Sequence, residues 1–185
     1  MKTKNLYFIS LICGVIALLC SCEQNTIGDA KLLEGSWELM TRKADRTVSA
    51  DLQGNSFVED KEFVRNFDNK DQVWLFYKGY ISWWSWSEKS GSWGAYICDC
   101  SKDFVVKGEG ANMEVVETTR SIIPGETSYS YTTTYKVEKL TKKELILTTT
   151  NQYFISAQDT TIDVNETYIF RREDSLLDYI QKLLN

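Results

Sequence analysis

Catalysis needs a nucleophile, a proton carrier or a metal ligand at a workable spacing, and this chain offers little of any of them. None of its 185 residues is a histidine, so the commonest general base and the commonest metal ligand are both missing. Cys98 and Cys100 would share one face if both lay in a single strand, and a bridge between them would need a bend at Asp99. Free thiols and a local disulfide both fit that spacing, whereas two thiolates without histidine make a poor metal site. There are 26 acidic residues, but no pair of them stands in a motif. Gly-x-Ser-x-Gly, phosphate-loop, paired metal-ligand and dinucleotide patterns are all absent from the sequence. We expect a protein that is not an enzyme, with no catalytic residue, metal or cofactor. What is concentrated here is tryptophan: Trp74, Trp83, Trp84, Trp86 and Trp93 fall close together. An indole carries no proton in acid–base work, but it offers a broad stacking face and one N–H donor, which is the chemistry of binding.

Those tryptophans belong to a hairpin. A turn at Glu88-Lys89-Ser90-Gly91 pairs residue 87 with 92, Trp86 with Trp93 and Trp84 with Ala95. Trp84, Trp86, Trp93 and Ile97 then share one face, while Trp83 and Tyr96 fall on the other. Aromatic residues on both faces are unusual for a sheet with one wet side. One face suits a barrel interior. The other either packs beneath a terminal helix or forms a surface at the barrel mouth for a flat apolar ligand or a sugar ring. Trp84, Trp86 and Trp93, with Trp74, are the candidate ligand-binding residues.

The rest of the chain reads as antiparallel β. Short runs rich in Trp, Tyr, Val, Ile and Thr alternate with Gly, Asn, Asp and Lys clusters, predicting strands near 36–43, 72–78, 80–87, 92–98, 103–108, 112–120, 129–140, 144–150, 151–156 and 161–172. Residues 44–71 show no clean alternation and could hold a short helix over a barrel opening. Pro124-Gly125 marks a loop between two long strands. At the end, Leu176, Leu177, Ile180, Leu183 and Leu184 recur at helical spacing, with Ser175 as N-cap and Asp178 three residues on, predicting an amphipathic helix over 175–184. The fold class is all-β, an antiparallel barrel or sandwich closed by one helix.

The N-terminus has its own chemistry. Lys2 and Lys4 precede an uncharged apolar run from Leu6 to Leu19, the build of a secretory signal and short for a membrane span. The run ends in Leu19-Cys20-Ser21-Cys22, which resembles the lipobox of bacterial lipoproteins. Cys20 fits less well than Cys22, because the residue before the modified cysteine must be small. The resemblance implies cleavage of residues 1–21, lipidation of Cys22 and attachment to the outer membrane on its periplasmic or surface face, with 22–30 as a polar tether and 31–185 as the domain. Residues 1–21 hold two of the 21 basic residues and no acid, so the remainder carries 19 basic against 26 acidic. That acidity is spread along the chain and argues against a nucleic-acid partner and against a basic membrane-binding face.

A second resemblance concerns the barrel. Leu32-Leu33-Glu34-Gly35-Ser36-Trp37 resembles the Gly-x-Trp entry to the first strand of lipocalins. There the glycine permits a tight turn and the indole closes the barrel floor. The family places a late-strand arginine over that tryptophan, and Arg172 ends the last long strand here, on one face with Val164, Tyr168 and Phe170, a face shared by Glu166. The hairpin Lys136–Leu147 and the closing Glu166-Thr-Tyr-Ile-Phe-Arg-Arg172 are similar to the lipocalin-like lipoproteins common in Bacteroidota. A Thr-Asp-Tyr type turn, the other lipocalin signature, is absent. The resemblance implies a lipocalin-like β-barrel with Gly35, Trp37 and Arg172 as its floor, binding a small apolar or amphipathic ligand. The other reading is a rigid scaffold for a protein partner in the cell envelope, an inhibitor, immunity protein or accessory subunit.

Overall fold

The computed structural model describes residues 27–52, 55–96, 100–121, 130–155 and 160–184. The signal segment, Cys22, Cys98 and Pro124 lie outside those residues. Ten strands form one antiparallel sheet: β1 (Gly35–Leu52), β2 (Asn55–Asn66), β3 (Val73–Tyr77), β4 (Tyr80–Ser87), β5 (Ser92–Ala95), β6 (Cys100–Lys107), β7 (Glu114–Ser121), β8 (Ser130–Leu140), β9 (Glu144–Ile155) and β10 (Thr160–Arg172). Pairing of β1 with β10 closes an eight-strand barrel through β9, β8, β7, β6, β4 and β3. Of the described pairings, β2 has β1 alone and β5 has β4 alone. The helix α1 (Ser175–Leu184) packs outside. Every described pairing and both hydrophobic clusters lie within residues 27–184.

Two apolar clusters divide the work. The first fills the lower barrel with Trp37, Leu39, Trp74, Phe76, Ile81, Phe104, Val115, Val137, Leu145, Leu147 and Phe170, all buried. The second lies on the outer wall, where Val73, Leu75 and Trp93 are covered by Leu176 of α1, with Leu177 and Ile180 beside it. Outward positions of β8 and β10 such as Thr132, Thr134, Lys136, Asn165 and Arg171 are polar and exposed. A polar outer face on β8 and β10 differs from the apolar outer band of a bilayer-spanning barrel.

The segment 44–71 departs from the expected helix. β1 runs on to Leu52 and turns back as β2, pairing from Thr41↔Asn66 to Leu52↔Asn55. Glu62, Phe63, Val64, Arg65 and Asn66 are all exposed, so this part of the hairpin has no buried side to impose an apolar alternation, and its sequence carries none. The expected strands 144–150 and 151–156 are one strand, β9. The helix is capped differently as well: Ser175 is its first residue, and the Glu173 carboxylate accepts from the Leu176 N–H at 3.0 Å and the Ser175 hydroxyl at 2.7 Å. Residues 27–30, expected within the tether, dock under the barrel, where the Gly28 N–H donates to Leu140 O at 2.7 Å and Ile27 and Ala30 pack on the core.

Candidate functional site

The floor is built from both ends of the chain. Trp37 on β1 is fully buried and lies opposite Arg172 on β10, whose guanidinium carbon sits 5.0 Å from the indole ring centre. The Trp37 N–H donates to Leu33 O at 2.8 Å, and Arg172 Nη1 donates to Leu32 O at 3.0 Å. Gly35 has φ +133°, and a Cβ there would overlap the Arg172 guanidinium. Glycine at this position therefore meets two demands at once, a left-handed backbone and the close approach of a cation.

Above the floor the interior changes character. Trp74 from β3, Tyr135 from β8, and Tyr168 and Phe170 from β10 form an aromatic layer, with Trp74 ring centres 5.1–6.0 Å from the other three. Trp83 on β4 lies 5.7 Å from Trp74. The next layer is charged. Glu117 on β7 is 1% exposed and pairs with Lys102 on β6. Its Oε1 also accepts from Thr119 Oγ1 at 2.9 Å, and its Oε2 from the Tyr135 hydroxyl at 3.3 Å. Glu166 on β10 is 6% exposed and pairs with Arg42 on β1, whose Nε donates at 2.9 Å. The Tyr168 hydroxyl donates to the second oxygen of Glu166 at 2.8 Å. Lys102 Nζ also stands 4.3 Å over the Trp83 ring. Burial and then the neighbouring Glu117 carboxylate push the Tyr135 phenol far above its ordinary value, so it remains an O–H donor at working pH.

These groups surround a cavity of about 320 Å³ in the upper barrel, lined by Trp74, Trp83, Arg42, Lys102, Glu117 and Glu166 among others. Two of the lining residues, Trp74 and Trp83, carry a buried indole N–H without a hydrogen-bond partner among the described residues. Buried indole N–H groups ordinarily find an acceptor, and leaving one unmet costs roughly 1–3 kcal/mol. Chemically the chamber offers aromatic surface below and matched charge above. No group of three His, Cys, Asp or Glu suited to a metal occurs among the described residues.

The tryptophans expected to bind divide differently from the expectation. Hairpin register follows the sequence reading, with Trp86↔Trp93 and Trp84↔Ala95. The sides of the wall are exchanged, however. Trp84, Trp86 and Trp93 belong to the outer cluster under α1, Trp86 also lining a second cavity with Arg65, Asp71 and Tyr96, while Trp74 and Trp83 line the chamber. The cause is register with β3. Trp37 faces inward and pairs with Trp74, and Trp74 pairs with Trp83, so cross-strand neighbours carry Trp83 inside and send Trp84 out. With both faces aromatic, alternation within the hairpin had nothing to choose by. Arg42, Lys102, Glu117 and Glu166 went unassigned. Glu166 gave a signal, since it shares the alternating face of Tyr168 and Phe170. Arg42 is masked by a bulge between Leu39 and Thr41, which sets Arg42 rather than Thr41 opposite the inward Tyr168.

Comparison with known proteins adds little. No family model and no curated protein matches the chain. Among solved structures, the attachment invasion locus protein Ail of Yersinia pestis, crystallised with the heparin analogue sucrose octasulfate, is 12% identical over 76% of this chain and 100% of its own, at a TM-score of 0.32. The vaccine antigen transferrin-binding protein B of Haemophilus parasuis is also 12% identical over 76% of this chain, covering 27% of its own, at 0.31. Likeness this slight carries no argument. The barrel rests on its own strand pairings.

Proposed function

We propose that this chain is an exported lipoprotein, attached through Cys22 to the outer membrane, whose barrel binds a small amphipathic molecule in the upper chamber. Leu19-Cys20-Ser21-Cys22 and the apolar run before it support the anchor. The observation that carries the binding reading is the contrast between the two halves of the interior. Below, the barrel is filled with its own apolar side chains; above, two ion pairs and the rings of Trp74 and Trp83 surround open space. Burying charge costs several kcal/mol per ion before pairing offsets it, and a wall needed only for shape is more cheaply made of leucine and valine. A chamber this size is at the small end of ligand pockets. The ligand would lay a flat or apolar face against Trp74 and Trp83 and direct polar groups toward Arg42 and Lys102. Trp84 and Trp93 have a structural part in this reading, holding α1 to the wall.

The scaffold reading draws on the filled lower half, and the two separate on one experiment. Anilinonaphthalene sulfonate, a flat dye with a polar end, is titrated into the chain from Cys22 onward, carrying serine at that position, and into its Thr133→Trp variant, in which an indole occupies the chamber. Thr133 lines the cavity and is half-buried. Saturable binding by the parent, weakened about tenfold in the variant with the fold retained by circular dichroism, is expected. No saturable binding by the parent would leave the scaffold reading in possession.

A further inference from the structure

Beside the chamber the described strand pairing is interrupted. β1 pairs with β3 only from Gly35 to Glu38, and from Thr41 upward it pairs with β2 instead. β3 ends at Val73, opposite Trp84. Among the described residues no pairing joins β2 to β4 or β5. Above Val73 the wall therefore has a seam, with Arg65 and Phe67 on one lip and Ser85 and Tyr96 on the other. The lower edge of the seam is the turn 68–72, fixed to β4 by the Trp86 backbone N–H donating to Lys70 O at 3.0 Å and to the residue after β5 by the Tyr96 hydroxyl donating to Asp71 O at 3.4 Å.

At that seam lies a second cavity of about 520 Å³, lined by Arg65, Phe67, Gln72, Trp83, Ser85 and Tyr96 among others. Gln72 and Trp83 line both this vestibule and the inner chamber. They are the partition between the two. Trp83 is suited to move: it is half-buried, its N–H has no partner, and its ring is held by Lys102 on one side and Trp74 on another. Neither contact is directional in the way a hydrogen bond is, and a rotation of the ring exchanges contacts without leaving a newly unpaired polar group.

We propose that vestibule and chamber are two compartments of one elongated site, entered through the β2–β4 seam, with Trp83 as the partition that swings to join them. The inference rests on the binding reading above and adds to it a ligand shape: a single-chain amphiphile too long for the inner chamber alone. Its apolar stem passes Trp83 and Phe67, and its outer polar end meets Arg65 and Asp71 at the vestibule.

Two probes and three variants test this in the chain from Cys22 onward with serine at that position. Anilinonaphthalene sulfonate is the short probe and a dansyl-labelled undecanoic acid the long one, each followed by equilibrium titration and stopped-flow fluorescence. Ser85→Trp fills the vestibule and should slow association of both probes and weaken the long one, each about tenfold, whereas Thr133→Trp should weaken both at equilibrium. Trp83→Ala, which removes the partition without adding bulk, should speed association and so covers the case in which Ser85→Trp does not fold. Wild-type rates and long-probe affinity in folded Ser85→Trp, or an unchanged association rate in Trp83→Ala, overturn the side entrance while leaving the binding reading intact. Absence of binding of either probe to the parent overturns both.

Discussion

Trp93 gives the sharpest test of how the aromatic hairpin is used. If it faced an open pocket, truncating it would spare stability; on the outer wall it should cost a great deal. Trp93 is 7% exposed, packs with Val73, Leu75 and Leu176, and meets Trp86 edge-on with ring centres 5.4 Å apart. A buried indole removes roughly 150–250 Å² from water, which at about 25 cal/mol per Å² is worth about 4–6 kcal/mol. Part of that surface is already shielded in the unfolded chain, so about 3–5 kcal/mol is expected for Trp93→Ala, the range of other buried aromatic truncations. For a domain of this length each kcal/mol lowers the melting temperature by roughly 2–4 °C, giving a fall on the order of 10 °C. Thermal melts by circular dichroism, with urea titration for the free energy, measure both. The loss should also loosen α1, which a trypsin time course would detect as earlier cleavage at Lys182. A melting temperature within about 2 °C of wild type would show that Trp93 is not packed as described and would refute the placement of the helix on this wall.

Trp37→Ala should cost about 3–5 kcal/mol, and a double-mutant cycle with Arg172→Ala should return a coupling on the order of 1–2 kcal/mol; additivity would remove the cation over the floor indole. Glu117→Leu strands Lys102, whose side chain is 10% exposed, and should lose about 3–5 kcal/mol in urea titrations, most of it restored by the double change with Lys102→Met. The Tyr135 phenol is held protonated in the folded state, so the stability it confers is intact below its ordinary value near 10 and is lost as pH rises beyond it. The alkaline limb of a stability–pH curve should flatten in Tyr135→Phe. Replacing Cys22 by alanine should move the protein from the membrane pellet to the soluble fraction, because lipid chains contribute about 0.8 kcal/mol for each buried CH₂; continued sedimentation would rule out the anchor.

Much of the architecture is legible in the residues. Strand alternation from β3 onward, the hairpin register through Trp86 and Trp93, and the helical spacing of Leu176, Leu177 and Ile180 all follow from period and turn chemistry. Three things escaped, each for a physical reason. The β1–β2 hairpin carries no apolar alternation because Glu62 to Asn66 lie in water. The wall side taken by the hairpin is set by a neighbouring strand, through Trp37↔Trp74 and Trp74↔Trp83, and no local pattern encodes it. The charged layer joins Arg42 with Glu166 and Lys102 with Glu117, partners 124 and 15 residues apart, so each member alone looks like an ordinary surface charge. Only Glu166, on the face of Tyr168 and Phe170, was visibly out of place for a buried strand face.

If the upper barrel holds a small amphipathic molecule, native mass spectrometry of the full-length protein expressed in a bacterial envelope will find it bound. After gentle extraction, a population carrying one extra small-molecule mass is expected, which collisional activation removes. That mass should be absent when Thr133→Trp fills the chamber and present when Trp84→Leu alters only the outer wall. A bare protein mass in every preparation, unchanged on addition of single-chain amphiphiles, would rule out the bound molecule and return the barrel to the role of a scaffold.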